Sequence, residues 1–146
     1  MLLLHFLAAC GGPSTTPEAQ LRDWVAAVEA AAESKDRNAI LDLVADNYTD
    51  ARGNTRDAAG DLLRLYFLRQ NKVLLATSID EIDVFAGTAA DMSVTVGMAG
   101  TNAAAFGIDA DAYRFELELE ARGVPSSYED WQLISARWGA LGRTLR

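Results

Sequence analysis

Apolar residues recur every three to four positions over the first half of the chain and every second position over the rest, which predicts helices followed by strands. Thr16-Pro17-Glu18 supplies a capping hydroxyl, a proline at the first helical position and an acid beside the helix dipole. Leu21, Trp24, Val25, Val28 and Ala32 then mark one face of a helix from about Pro17 to Ser34, with Arg22, Asp23, Glu29 and Glu33 largely opposite. Asp36 caps a second helix carrying Ile40, Leu41, Leu43 and Val44, which should end near Asp46-Asn47. Tyr48 to Asn54 reads as an irregular connection, and Asn54 or Thr55 caps a third helix with the core face Ala59, Leu62, Leu63, Tyr66 and Phe67. Gly60 inside that helix costs about 1 kcal/mol against alanine.

From Lys72 the period becomes two. Lys72 to Phe85 predicts a long strand bent around Ser78 to Asp80, followed by a turn at Ala86-Gly87-Thr88. Ala90 to Ala99 is a second strand, with Met92, Val94, Val96 and Met98 on one face and Asp91, Ser93 and Thr95 on the other. Gly100 to Ala110 has no clear period and reads as a linker with room for a short helix. Tyr113, Phe115, Leu117 and Leu119 alternate with Arg114, Glu116, Glu118 and Glu120, the pattern of a half-buried strand. After a turn at Gly123 to Ser127, Tyr128 to Gly139 forms the last strand and 142–146 a tail. Helices segregated from a run of strands define an α+β architecture: three N-terminal helices packed on a curved, mainly antiparallel four-stranded sheet, burying Trp24, Leu62 and Phe67. Trp131 and Trp138 have opposite strand parity, which sets them on opposite sides of that sheet. The glutamates at 116, 118 and 120 offer a row of oxygens suited to a metal, but their alternation with apolar residues reads as a solvated outer face, as it does for Asp91, Ser93 and Thr95.

Composition narrows the chemistry. Half of the 146 residues are hydrophobic and 23% are charged, a globular balance. The net charge of −8, without a basic cluster, disfavours nucleic acid and anionic headgroups alike. The chain holds one cysteine, Cys10, and one histidine, His5. Beyond Cys10 there is therefore no disulfide, no Cys/His zinc site, no Cys–His nucleophile and no Ser–His–Asp triad. No metal and no cofactor are expected.

The first residues carry an address. Met1 to Ala9 is an apolar stretch ending in small residues, and Leu7-Ala8-Ala9-Cys10 resembles the lipobox of bacterial lipoproteins. That resemblance implies a signal peptide over 1–9, lipidation (palmitate included) of Cys10 as the mature N-terminus, and membrane attachment through the lipid. Gly11-Gly12-Pro13-Ser14-Thr15-Thr16 serves as a flexible tether between the lipid and a domain spanning 17–141. No Lys or Arg precedes the apolar run, which fits basic signal residues lying upstream of Met1. Gly11, rather than an acid, follows the cysteine, and the resemblance then implies the periplasmic face of the outer membrane.

The domain is similar to the nuclear transport factor 2-like superfamily, whose cystatin-like cone also serves ketosteroid isomerases and polyketide-cyclase-like enzymes. Three stretches carry the likeness: Leu21 to Val44 closed by Ala45-Asp46-Asn47-Tyr48-Thr49-Asp50; Ile82-x-Val84 followed by Gly87-Thr88-Ala89; and Trp131 to Trp138. The resemblance implies a pocket between helices and concave sheet, but no particular activity. It sets Asp50 near the catalytic aspartate of ketosteroid isomerases and Trp24 near their oxyanion-binding tyrosine, leaving that motif half present. Ser135 and Arg137 stand where cyclase-like members carry polar or histidine residues; Arg137 suits an anionic ligand but not proton abstraction. Trp24, Tyr48, Tyr66, Tyr113, Ser135 and Arg137 are thus the pocket candidates. The leading expectation is a lipid-anchored envelope protein that binds a small amphipathic ligand or an envelope protein without catalysis. The alternative is a small isomerase, cyclase or hydratase-like enzyme with Asp50 as general base; a third is a structural homodimer through the sheet face.

Overall fold

The computed structural model describes residues 16–101 and 108–141, the side chains of 99–101 and 108–111 excepted. The signal segment, Cys10, residues 102–107 and the tail at 142–146 lie outside the described residues. Three helices come first: α1 (Pro17–Glu33), α2 (Arg37–Asp42) and α3 (Arg56–Arg69). Four strands follow: β1 (Lys72–Phe85), β2 (Ala89–Thr101), β3 (Ile108–Ala121) and β4 (Trp131–Ala140), paired antiparallel in chain order. The arrangement is the α+β layering that the change of period predicts.

Each helix begins where a side chain can take an orphan backbone N–H. Thr16 accepts from Ala19 at 3.3 Å, Asp36 from Ala39 at 3.0 Å and Thr55 from Ala58 at 3.4 Å. Thr55, not Asn54, is therefore the cap of α3; Asn54 is engaged elsewhere. α2 stops at Asp42, short of the expected Asp46-Asn47. The reason is a competing partner: Leu43 and Ala45 exchange backbone hydrogen bonds with Leu133 at 2.9 Å each. The chain then runs along β4, Thr49 donating to Ile134 at 3.2 Å and Ala51 to Ala136 at 3.1 Å. This segment covers the free edge of β4, which would otherwise present unpaired groups.

α2 and α3 are held by two arginines. Arg56 caps the C-terminal carbonyls of α2, reaching Leu41 O at 2.8 Å and Val44 O at 3.2 Å. Arg37 donates to Gly60 O at 2.6 Å. A Cβ at position 60 would stand 2.8 Å from the Arg37 guanidinium and 3.0 Å from Leu41, so the costly mid-helix glycine permits the helices to approach.

β2 and β3 are longer than the alternation alone predicts. Gly100 pairs with Asp109 and Thr101 with Ile108, so both ends of the expected linker are strand backbone. The expected strand start at Tyr128 is instead a 3-10 turn, Tyr128–Asp130. There the Asp130 carboxylate accepts from Ser126 N at 2.7 Å, Ser126 Oγ at 3.0 Å and Ser127 N at 3.3 Å, which tightens the chain before β4.

The two central strands keep strict alternation, whereas each edge strand carries one bulge. In β1, Ile79 pairs with Val94 and Glu81 with Ser93, leaving Asp80 as the extra residue. The core-facing set consequently switches from Val73, Leu75 and Ile79 to Ile82 and Val84. In β4, Ser135 pairs with Glu118 and Leu133 with Leu119, leaving Ile134 extra. Trp131 and Leu133 face the core before this bulge, Ala136 and Trp138 after it. The two tryptophans therefore share one face despite their opposite parity, correcting the expectation that they face opposite sides.

The main core joins α1 to the concave sheet through Leu21, Trp24, Val25, Met92, Val94, Leu117, Leu119 and Trp131. A second cluster seats Phe67 against Ala31, Ala32, Ile40 and Val73. Leu62 belongs to neither: it is 51% exposed, because the buried side of α3 is set by Ala59, Gly60, Leu63 and Phe67 facing α2 and β1.

One polar tie crosses the main core. Gln20, buried on α1, accepts the Trp131 indole N–H at 2.9 Å and donates to Pro125 O at 3.2 Å. Gln20→Leu keeps the volume but strands a buried indole N–H, so we expect a loss of about 2–3 kcal/mol in urea unfolding. An unchanged midpoint would show that the tie contributes nothing net.

Candidate functional site

The concave face grades from closed to open along the strands. Leu119 and Trp131 are fully buried, Leu117 and Met92 nearly so, while Met98, Tyr113, Phe115 and Trp138 are half-buried. The more open end carries an aromatic wall. Tyr113 meets Phe115 edge-on at 6.4 Å, and Phe115 stacks on Trp138 at 5.9 Å. The Arg52 guanidinium lies over the Trp138 ring at 4.7 Å, a cation on the rim of an apolar surface. Sequence reasoning missed Phe115 and Arg52, since their meeting with Trp138 requires the bulge that turns Trp138 inward.

Trp24 stands in this core from α1, 3% exposed. Its indole Nε1 is buried with no hydrogen-bond partner among the described residues, unlike that of Trp131. Such a donor forfeits on the order of 1–3 kcal/mol relative to a satisfied one. Trp24 is thus a buried neutral donor without an acceptor among the described residues.

Asp50 is the one buried acid among the described residues. It sits in a closed turn: Asp50 N donates to Asn54 O at 3.1 Å and Gly53 N to Asp50 O at 3.0 Å. Gly53 takes φ +80°, which an L side chain resists. The carboxylate accepts from Arg52 N at 2.9 Å, Asn54 N at 3.0 Å, Asn54 Nδ2 at 3.0 Å and the Tyr48 hydroxyl at 3.3 Å. Burial pushes this carboxyl up, but donation from Asn54, Arg52 and Tyr48 outweighs burial and holds it below the usual carboxylate range. A general base needs the reverse, a raised pKa and a free lone pair. Tyr48 is the complement: burial first, then the charge and hydrogen bond of Asp50, keep its proton on well above the ordinary phenol value.

The remaining candidates divide by face. Tyr66 lies on α3 beside Phe67, ring centroids 6.0 Å apart, at the second cluster rather than the aromatic wall. Ser135 pairs with Glu118 and Arg137 with Glu116, on the outer face of the sheet and away from the concave side, contrary to their expected place in the pocket. The bulge at Ile134 is the cause, because it sets Ala136 and Trp138 inward. Glu116 on that outer face accepts from the Ser93 hydroxyl and pairs with Arg114 at 3.2 Å.

No protein-family model matches the chain. No curated protein sequence matches it either. Solved structures do. A ketosteroid isomerase-like protein from Erwinia carotovora atroseptica superposes with TM-score 0.67 at 17% identity, covering 86% of this chain and 96% of that one. A hexachlorocyclohexane dehydrochlorinase from Novosphingobium barchaimii gives 0.69 at 11%, covering 85% and 86%. A nuclear transport factor 2-like superfamily protein from Salmonella enterica serovar Typhimurium gives 0.70 at 11%, covering 88% and 93%. The class is thus a helix-packed, open antiparallel cone, and its fold is that of the nuclear transport factor 2-like proteins. The fold is shared by enzymes and by binding proteins, so activity rests on the site itself.

The Asp50 carboxylate should stabilise the fold. Asp50→Ala should cost about 2–3 kcal/mol by leaving several donors unmet, and Asp50→Asn less. A lowered folded pKa contributes stability that is present above the unfolded value, near pH 4, and lost as pH falls through the folded value. Urea midpoints of the wild type should therefore fall below about pH 4 more steeply than those of Asp50→Asn. Parallel pH profiles would sink this assignment.

Proposed function

We propose that this chain is a lipid-anchored protein of the bacterial cell envelope whose domain holds a small amphipathic ligand without transforming it. The observation that carries the binding part is the indole N–H of Trp24, which has no partner among the described residues inside an apolar concave core. A ligand oxygen would recover the hydrogen bond that Trp24 lacks, and an apolar body would lie against Phe115 and Trp138. Arg52 at the rim suits an acidic or strongly dipolar end.

The non-catalytic part rests on Asp50. Its lone pairs are occupied and its pKa is depressed, so it favours holding a turn over taking a proton. The enzymatic reading keeps one supporting observation, the isomerase-like and dehydrochlorinase neighbours in fold. It requires Asp50 to give up several hydrogen bonds before each turnover.

The anchor rests on Leu7-Ala8-Ala9-Cys10 and the small, flexible residues after it. No helix among the described residues is long and apolar enough to cross a membrane. Attachment in this reading runs through acyl chains on Cys10, at the periplasmic face of the outer membrane given Gly11. Palmitate fed to the producing cells should label the wild type and leave Cys10→Ala unlabelled. Recovery of an intact Met1 and an unmodified Cys10 by mass spectrometry would remove the anchor.

Binding is tested with a medium-chain fatty acid and an aromatic ketone as probes, read by thermal shift and tryptophan emission. The wild type should bind at least one, and Trp24→Phe should weaken it about tenfold, the value of one net hydrogen bond. Equal affinity in the two proteins, or binding by neither probe, would refute Trp24 as the recognising donor.

A further inference from the structure

The connection between α2 and α3 contains a turn that presents one arginine to the aromatic wall. Ala51 N donates to Ala136 O at 3.1 Å, which seats the chain on the edge of β4 close to Trp138. Arg52 N donates to the Asp50 carboxylate at 2.9 Å, and Gly53 N to Asp50 O at 3.0 Å. The backbone on both sides of Arg52 is therefore held, and its side chain alone is left to turn. That side chain lays its guanidinium over Trp138, 4.7 Å from the ring centroid. Arg52 is exposed, whereas Trp138 beneath it is half-buried. From Trp138 the aromatic row continues through Phe115 to Tyr113.

The charge of Arg52 is unclaimed. Among the described residues the ion pairs are Arg37–Asp61 at 3.9 Å and Arg114–Glu116 at 3.2 Å, and Arg52 belongs to neither. Asp50 stands only two positions away, yet its oxygens are taken by Arg52 N, Asn54 N, Asn54 Nδ2 and the Tyr48 hydroxyl. This acid thus orders the backbone of Arg52 without pairing with its guanidinium. Other arginines are engaged elsewhere: Arg56 on the carbonyls of Leu41 and Val44, Arg37 on Gly60 O, Arg122 on the Gln132 side chain. A guanidinium can stack on an aromatic face and still offer a planar fork of N–H donors, and that fork matches the two oxygens of a carboxylate. A backbone held in advance also reduces the ordering that binding would otherwise require.

We propose that Arg52 selects the ligand of the concave site, an organic carboxylate with an apolar or aromatic body, and that Asp50 is the positioning residue that holds Arg52 in place. The carboxylate takes the Arg52 fork at the rim, and the body lies along Trp138 and Phe115. The inference rests on the binding role proposed for the concave site and narrows it: the acidic end becomes a requirement, and a neutral analogue with the same body is rejected. Anion binding, which the sequence offers to Arg137, passes to Arg52, because Arg137 stands opposite Glu116 on the other face of the sheet. Asp50 in this role does not meet the ligand; it acts through the backbone of Arg52.

The test uses the full chain and a pair of probes that share one body, 4-phenylbutyrate and 4-phenylbutyramide, with affinities from titration calorimetry at neutral pH. The wild type should bind the acid about tenfold more tightly than the amide. Arg52→Gln should weaken binding of the acid about tenfold and bring the probes within about twofold of each other. Arg52→Lys keeps the charge without the fork and should retain part of the preference. Asp50→Asn should lower the preference several-fold, and should lower it no further in the Arg52→Gln protein, because both substitutions remove the same interaction. Gly53→Ala strains the turn at φ +80° without touching the carboxylate and should lower the preference in the same way. A merely structural Asp50 would instead weaken both probes alike and add to the effect of Arg52→Gln. Equal affinity for acid and amide in the wild type overturns this proposal and leaves the binding role standing; binding of neither probe overturns both. A preference that survives Arg52→Gln overturns the role of Arg52. Asp50→Asn and Gly53→Ala proteins that keep the full preference, or that lose both probes equally, overturn the role of Asp50.

Discussion

Trp131 reaches across the core to Gln20, and through this contact the first helix is joined to the last strand over 111 positions of sequence. The indole is wholly buried and can only donate, so its partner must be an acceptor equally shielded from water. Gln20 meets that need and uses its amide on the Pro125 carbonyl, bringing the turn before β4 into the same network. The tie fixes how α1 lies on the concave sheet, and with it the position of Trp24 one turn further along. A purely apolar core would permit α1 to slide or roll; a single directed hydrogen bond restricts it.

Most of the fold was legible because it rests on periodicity and capping. The helix starts at Pro17, Arg37 and Arg56 follow from a hydroxyl or carboxylate placed just ahead of each. The faces of β2 and β3 follow from uninterrupted alternation. The misplaced features share one cause, backbone pairing with a distant partner. α2 ends early because Leu43 and Ala45 pair with Leu133, and β2 and β3 extend because Gly100 and Thr101 meet Asp109 and Ile108. The bulge at Ile134 is likewise invisible to a period-two reading, yet it decides that Trp138 faces the core while Ser135 and Arg137 do not.

The candidate site was legible in residue type but not in role. Asp50 stands after the second helix, where the resemblance sets a catalytic aspartate, whereas in the structure its carboxylate holds a turn. The difference between the catalytic and the structural role lies in Asn54, whose amide and backbone occupy the carboxylate, and in Gly53, which lets the turn close. Trp24 and Trp131 are chemically identical buried donors. What distinguishes them is that Trp131 has Gln20 while Trp24 has no acceptor among the described residues, a contrast that only three-dimensional placement supplies.

The paired bulges also bear on how the gene can vary. A bulge holds one residue that the ladder does not use, so β1 and β4 can each lose one codon by closing the bulge, with the facing of the other side chains preserved. β2 and β3 have no such slack within Ala89–Val96 and Tyr113–Ala121; a single-codon deletion there would carry Met92 or Leu117 to the solvent side and Ser93 or Glu116 into the core. Length changes among descendants of this sequence should therefore accumulate at the two rims of the sheet and be purged from its centre.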